Sequence, residues 1–186
     1  MLFYYFKHEN PERDNFPALA RSLLAQLLRQ DQGLIYYFYQ KCCDNADAVL
    51  NSLALIEELL TFAFQNCKNA YIILDGLDEC PRNERKHIVQ WFRTLVDSLP
   101  PSEADRYRCL FVSQDDGVAR KDFAGLSSIK ISVNENRSDI EEYCKVQAEQ
   151  LKSDLCLSEE KTNSITKTVA NSVEGEYFCT SYTDLN

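Results

Sequence analysis

The stretch that decides the fold is residues 70–79, Ala-Tyr-Ile-Ile-Leu-Asp-Gly-Leu-Asp-Glu, in which an apolar run leads directly into acidic residues. A short continuous apolar run favours a strand that is buried on both faces, as in a parallel sheet. Ligands of such sheets bind at the carboxyl ends of the strands. We therefore expect Asp75 to lie at the mouth of a crevice, with Asp78 and Glu79 one turn beyond it. Gly76 permits a tight exit from the strand.

A carboxylate at the end of a strand is suited to hold Mg²⁺, which takes oxygen ligands and usually bridges to substrate phosphates. In this interpretation Asp75 holds the metal, and Asp78 and Glu79 orient or deprotonate an attacking water. The alternative is that the three acids only solvate a turn after a core strand, because acidic residues are common in turns.

Residues 72–79 resemble the extended Walker B motif of NACHT-type signalling NTPases, and are most similar to those of fungal NACHT proteins and the nephrocystin-like N-terminal domain. The resemblance implies a P-loop NTPase-like parallel sheet flanked by helices, with ATP and Mg²⁺ as cofactors. It gives Asp75 the magnesium role, and Asp78 and Glu79 the water-activating positions, without indicating which of the two is the base.

A second apolar run, residues 108–113, is followed by Gln-Asp-Asp-Gly. The resemblance implies that this strand ends in a polar sensor near the γ-phosphate, at Ser113 and Gln114. Many family members have arginine where this chain has Gln114, which can hydrogen-bond a phosphate or water but brings no charge. The alternative is an Asp-Gly turn after a buried strand.

The composition restricts the classes of function. The net charge of −9 argues against binding to nucleic acid or to an anionic membrane surface. The sequence shows neither a secretory signal nor an apolar run of membrane-spanning length. We therefore predict a cytoplasmic protein whose eight cysteines are reduced and mostly buried. Cys80, directly after the acidic turn, is the one cysteine considered for reactivity.

Alternation of strand and helix patterns predicts an α/β fold. We predict a partial NACHT/P-loop NTPase-like domain at 1–135 and a short helical extension at 136–186. The predicted strands are 2–6, 70–75, 108–113 and 129–133. The predicted helices are 16 to about 33, 34–39, 53–65, the segment carrying Ile88 to Leu99, 138–152 and 159–173, with 174–186 irregular.

The phosphate-binding loop G-x-x-x-x-G-K-[ST] is absent, and no lysine follows a glycine anywhere in the sequence. The resemblance therefore predicts a truncated module without its first strand and loop, in which ATP binding is weak or absent. It places the missing strand between the predicted strands 108–113 and 129–133, and the latter either closes the gap or stays detached.

The sequence leaves three other functions to weigh. A weak Mg-dependent ATPase needs another basic element, such as Arg82, Arg85, or Arg120 with Lys121. A nucleotide-independent assembly module uses the apolar helices and the tyrosine-rich segment 34–39 to bind protein partners or a second copy. A glycoside hydrolase is suggested by the likeness of residues 75–78 to the chitinase motif DGxDxDxE. It is disfavoured because Cys80 and Arg82 stand where that motif has acids, and because the chain is shorter than a barrel of typically about 250 residues.

Overall fold

The computed structural model describes residues 1–44, 50–114, 121, 123–131, 133–172 and 177–182. Short 3₁₀ helices at Leu77–Glu79 and Pro101–Arg106 accompany five strands and six α-helices in this part of the chain. In chain order these are β1 (Leu2–Tyr5), α1 (Phe16–Gln30), α2 (Leu34–Asp44), α3 (Leu53–Asn66), β2 (Ala70–Asp75), α4 (Arg82–Asp97), β3 (Tyr107–Gln114), β4 (Ser127–Ile131), α5 (Val133–Leu155), α6 (Glu159–Ser172) and β5 (Tyr177–Tyr182).

The sheet has the strand order β1-β2-β3-β5-β4, and β1, β2 and β3 are parallel. Their register aligns Leu2 with Ile72 and Ile72 with Cys109. The carboxyl ends of β1, β2 and β3 therefore meet at one edge of the sheet. The predicted parallel α/β architecture is confirmed for these three strands.

One face of the three parallel strands forms the core. Phe64 of α3 lies 5.5 Å from Tyr107, and Phe92 of α4 lies 6.2 Å from Phe111, measured between ring centroids. Helix α1 packs against β1, α3 and α4. Helices therefore cover this face, where every inward-pointing residue of the three strands is buried.

Among the described residues the opposite face is only partly covered, so the prediction that residues 70–75 are buried on both faces is wrong. Buried residues alternate along each strand with exposed or half-buried ones. Phe3, Tyr5 and Tyr71 are 48%, 58% and 54% exposed, and the Arg108 guanidinium lies over the Tyr71 ring at 5.8 Å. An apolar run shows that a strand can be buried, but it does not show on which side the helices lie.

Local signals account for the starts of two helices. The pattern allows either Asp14 or Asn15 to cap α1, and the structure shows Asn15, whose side chain accepts a hydrogen bond from Ala18 N at 3.0 Å. The Ser52 hydroxyl accepts from Leu55 N and caps α3 in the same way. The pattern of segment 34–39 fits a helix or a strand, and helix is the prediction. The segment lies in α2, so this prediction is confirmed.

The outer edge of β1 is paired with a side chain. The Gln26 amide on α1 donates to Phe3 O at 2.8 Å and accepts from Phe3 N at 3.1 Å. This side chain thus makes the two hydrogen bonds that a neighbouring strand would otherwise make with Phe3.

The C-terminal third differs from the prediction in three places. Strand β4 begins and ends two residues earlier than expected, at Ser127 and Ile131. Helix α5 begins at Val133, before the predicted start at Ser138. Residues 177–182, expected to be irregular, form β5, whose aromatic and hydroxyl residues favour a strand. In the sheet order β5 lies between β3 and β4, so β4 does not close next to β3.

The chain divides into two compact units, Met1–Ile129 with Cys179–Asn186 and Lys130–Phe178. The first contains the parallel strands and α1 to α4. The second contains α5 and α6, which pack against each other and include the buried residues Cys144, Ala148 and Thr162.

Candidate functional site

The acidic turn that follows β2 has a defined backbone conformation. Gly76 has φ 73° and ψ 34°, in the left-handed region that residues with a Cβ rarely adopt. Glu79 N donates to Gly76 O at 2.9 Å and closes one turn of 3₁₀ helix. The side chain of Leu77 at the start of this turn is fully buried. A glycine bend and an apolar anchor therefore fix the positions of the flanking acids.

Asp75 is the last residue of β2 and is half-buried. Its peptide oxygen accepts a hydrogen bond from Phe6 N at 2.9 Å, and in the sheet register it lies opposite Tyr5 and Val112. Within the part of the chain that the structure describes, the Asp75 carboxylate makes no hydrogen bond or ion pair. Of the three predicted acids, Asp75 is therefore the one with both carboxylate oxygens free of hydrogen bonds in the described residues, whereas Asp78 and Glu79 each have one oxygen engaged.

Asp78 connects the turn to the end of β3. Its Oδ1 accepts a hydrogen bond from Gln114 N at 2.9 Å. The neighbouring Ser113 is buried, and its hydroxyl donates to Gln114 O at 2.9 Å, while the Gln114 side chain is exposed. The predicted sensor residues thus lie beside the acidic turn, and Asp78 fixes the backbone of one of them.

Glu79 connects the same turn to the segment after β1. Its Oε2 accepts a hydrogen bond from His8 N at 2.7 Å. A carboxylate that accepts from a backbone N–H is held by a strong, charge-assisted hydrogen bond. Asp78 and Glu79 therefore each fix the end of a neighbouring strand.

The structure brings all five predicted site residues to the carboxyl edge of β2 and β3. It does not bring the three acids together around one point. In the described residues, no group of three or more His, Cys, Asp or Glu side chains is placed to hold a metal ion. The arrangement can offer one carboxylate to a ligand, together with the polar end of β3.

Two polar residues at the start of α4 follow the acidic turn in the chain: Glu84, which the sequence did not single out, and Arg85, which was a candidate basic element. Glu84 at the start of α4 accepts a hydrogen bond from Phe16 N at 2.9 Å, at the first residue of α1. Arg85 in the next position is buried. No local pattern connects residues 68 positions apart, so the sequence gives no sign of this contact between the two helices.

Burial raises the pKa values of two groups near the acidic turn and β1, Cys80 and Tyr4. Desolvation, reinforced by the charges of Asp14 and Glu84, raises the pKa of the Cys80 thiol far above its ordinary value. Desolvation likewise raises the pKa of Tyr4 to about 12. Both groups are neutral at physiological pH, so Cys80 is a structural thiol rather than a nucleophile.

We expect Cys80 to react much more slowly with a disulfide reagent such as dithiobis-nitrobenzoate than the exposed Cys43 and Cys156 do. The thiolate is the reacting form, and a raised pKa lowers its population while burial blocks access. Time-resolved mass spectrometry of the folded chain assigns each modification. Labelling of Cys80 as fast as that of Cys43 would contradict the assignment.

The described cysteines are all free, but the prediction that they are mostly buried is wrong. Cys80, Cys109 and Cys144 are buried, and the remaining described cysteines are half-buried or exposed: Cys42, Cys43, Cys67 and Cys156. The sequence identifies cysteines as small apolar residues, but Cys42 and Cys43 lie in the last turn of α2, and Cys67 and Cys156 directly follow the ends of α3 and α5.

Three parallel strands with helices packed on them, and an acidic turn at their carboxyl edge, define an α/β protein compatible with a Rossmann-like fold. Residues 1–114 match the family described as Nephrocystin 3, N-terminal. The chain therefore belongs to the nephrocystin 3 N-terminal family. No curated protein and no solved structure matches it. The matched region contains the acidic turn and ends at Gln114, the last residue of the candidate site.

None of the described helices is both long enough and apolar enough to cross a membrane.

Proposed function

We propose that this chain is a NACHT-like, STAND-type NTPase module of a cytoplasmic signalling protein. It carries the magnesium side of a nucleotide site and does not hydrolyse ATP by itself. In this proposal Asp75 holds Mg²⁺, and Ser113 and Gln114 lie on the side of the γ-phosphate. Family membership supports the proposal. The main observation behind it is that Asp75, Ser113 and Gln114 lie at the same edge of the sheet.

The residues present can hold a magnesium ion, but they do not supply the groups that bind a triphosphate. Mg²⁺ keeps several waters and is commonly held by one or two carboxylates plus substrate phosphates, which suits the unpartnered Asp75 carboxylate. When bound, Mg²⁺ neutralises phosphate charge. The phosphate itself needs backbone N–H donors and a lysine, which the missing glycine-rich loop would supply.

The hydrogen bonds of Asp78 and Glu79 hold one oxygen of each carboxylate on a backbone N–H, so contact with an attacking water would depend on the second oxygen. A general base must reach the proton that it removes. Glu79 Oε2 is engaged with His8 N, and Asp78 Oδ1 is engaged with Gln114 N. In the proposed function both side chains are positioning groups in the isolated chain, and activation of water requires elements that this sequence does not contain.

The test is a phosphate-release assay on the purified chain with ATP and Mg²⁺, with Asp75→Asn as the matched variant. We expect no release above the protein-free rate from either protein. Calorimetric titration with Mg-ATP is expected to show no micromolar binding, because the phosphate cradle is missing. Turnover that depends on Mg²⁺ and is lost in Asp75→Asn would instead establish the weak Mg-dependent ATPase.

A second candidate is a nucleotide-independent assembly module. It is favoured by the exposed apolar residues Ile35, Tyr36 and Tyr39 of α2, which lie beside an apolar groove between α1, α2 and α3. Large exposed apolar patches commonly mark protein interaction sites. Light scattering of the wild-type chain and of Tyr36→Ser/Tyr39→Ser tests it. A concentration-dependent mass that the double variant abolishes would support self-association through α2.

A further inference from the structure

A groove between α3 and α4 has the composition of a small-molecule site and shares no residue with the acidic edge. Its volume is about 430 Å³, within the range of roughly 300–1,000 Å³ typical of ligand pockets. Its lining consists of Thr61, Gln65, His87, Gln90, Trp91, Thr94, Leu95 and Ser98. The lining contains no Asp, Glu, Lys or Arg, and its one titratable group, His87, already has a partner in Glu57 Oε1 at 3.2 Å, so it suits an uncharged ligand.

The indole of Trp91 is the largest apolar surface of this groove, and it is held in place from behind. Its ring lies 5.0 Å from that of Phe92, edge to face, and 5.7 Å and 6.0 Å from those of Phe16 and Phe64. The last three rings are buried in the core. A rigid aromatic wall loses little conformational entropy when a ligand packs against it.

Hydrogen-bonding groups of the groove are left for a ligand. In the described part of the chain, neither the Trp91 indole N–H nor the Gln65 side-chain amide has a hydrogen-bond partner. Gln90 Nε2 makes only a long contact of 3.5 Å to Thr94 Oγ1. The indole supplies one donor, and each amide supplies both donors and an acceptor.

An aromatic wall next to amide side chains matches one class of ligand. Aromatic side chains stack on flat heterocycles, and glutamine can make paired hydrogen bonds to a heterocycle edge that carries both a donor and an acceptor. We propose that the groove between α3 and α4 binds a planar, uncharged heteroaromatic ring, packed on Trp91 and hydrogen-bonded by Gln65. The ring belongs either to a nucleoside or to a free heterocyclic compound.

Trp91 is the only tryptophan of the chain, so its fluorescence reports on this groove alone. Adenosine represents the nucleoside source, nicotinamide the free heterocycle, and methyl glucoside a hydroxyl-rich ring without aromatic character. We expect saturable quenching by adenosine or nicotinamide and none by methyl glucoside. If adenosine binds more tightly, the natural ligand is a nucleoside; if nicotinamide binds more tightly, it is a free heterocyclic compound.

The matched variants are Gln65→Leu in the groove and Gln150→Leu on α5, both at exposed helical positions that tolerate leucine. Gln65→Leu is expected to weaken binding about fivefold, the usual effect of one neutral hydrogen bond, and Gln150→Leu to leave it unchanged. The absence of saturable quenching by both aromatic compounds, equal quenching by methyl glucoside, or equal affinities of the two variants would overturn the proposal. Asp75→Asn is expected to bind like the wild type, which separates this site from the proposed nucleotide site.

Discussion

Replacement of Leu77 by alanine is expected to lower the free energy of unfolding by about 3 kcal/mol. Leu77 is fully buried at the start of the acidic turn. The turn cannot collapse into the cavity, because Asp78 and Glu79 on one side are tied to Gln114 and His8. The loss of apolar contact and the cavity both contribute to the cost. Urea denaturation followed by circular dichroism measures it.

The matched control for this variant is Leu53→Ala at the start of α3. Leu53 is an exposed leucine, so the same deletion removes little buried surface and should change stability by about 0.5 kcal/mol or less. Equal losses in the two variants would show that the turn after β2 is not anchored through Leu77.

Replacement of Arg106 by alanine is expected to lower the free energy of unfolding by about 2 kcal/mol. Arg106 is the last residue of the 3₁₀ helix Pro101–Arg106 and belongs to none of the α-helices or strands. Its guanidinium donates to Cys67 O at 2.9 Å and to Gln65 O at 2.5 Å, the carbonyls at the end of α3. These carbonyls have no partner within the helix. Hydrogen bonds from a charged donor are worth about 1.5–3 kcal/mol, and the side chain is largely shielded from solvent.

Arg108→Ala separates this effect from the general loss of an arginine. The Arg108 side chain is exposed and pairs with Asp105 at 2.9 Å, three residues earlier. Exposed pairs of this kind contribute little to stability, so Arg108→Ala should be close to wild type. Thermal unfolding of both variants makes the comparison. A loss for Arg108→Ala as large as that for Arg106→Ala would contradict the role given to the α3 terminus.

Local sequence signals were sufficient for most elements of the first 114 residues. Asn15 and Ser52 cap helices where a polar residue precedes an apolar repeat. The run that ends at Asp75 forms a central parallel strand, as apolar length and the following glycine predict. The family resemblance implied a polar sensor at Ser113 and Gln114, and the parallel pairing of β2 and β3 brings these residues to the same edge as Asp75.

Long-range hydrogen bonds could not be predicted in the same way. Glu79 is tied to His8 across 71 positions, and Asp78 to Gln114 across 36. A pattern of acids in a turn looks the same whether the carboxylates face a metal or two backbone N–H groups. The partly covered face of the sheet was missed for a related reason, since Tyr71 is as apolar as a core residue and only the placement of the helices leaves it exposed.

The pairing of Gln26 with Phe3 has a consequence for how molecules of this protein can associate. An unpaired edge strand readily accepts an extended segment from another molecule, which is the first step of runaway polymerisation. Here an incoming segment would have to displace both bonds of a glutamine side chain before it gained any of its own at Phe3. Lateral growth of the sheet is therefore opposed at the β1 edge.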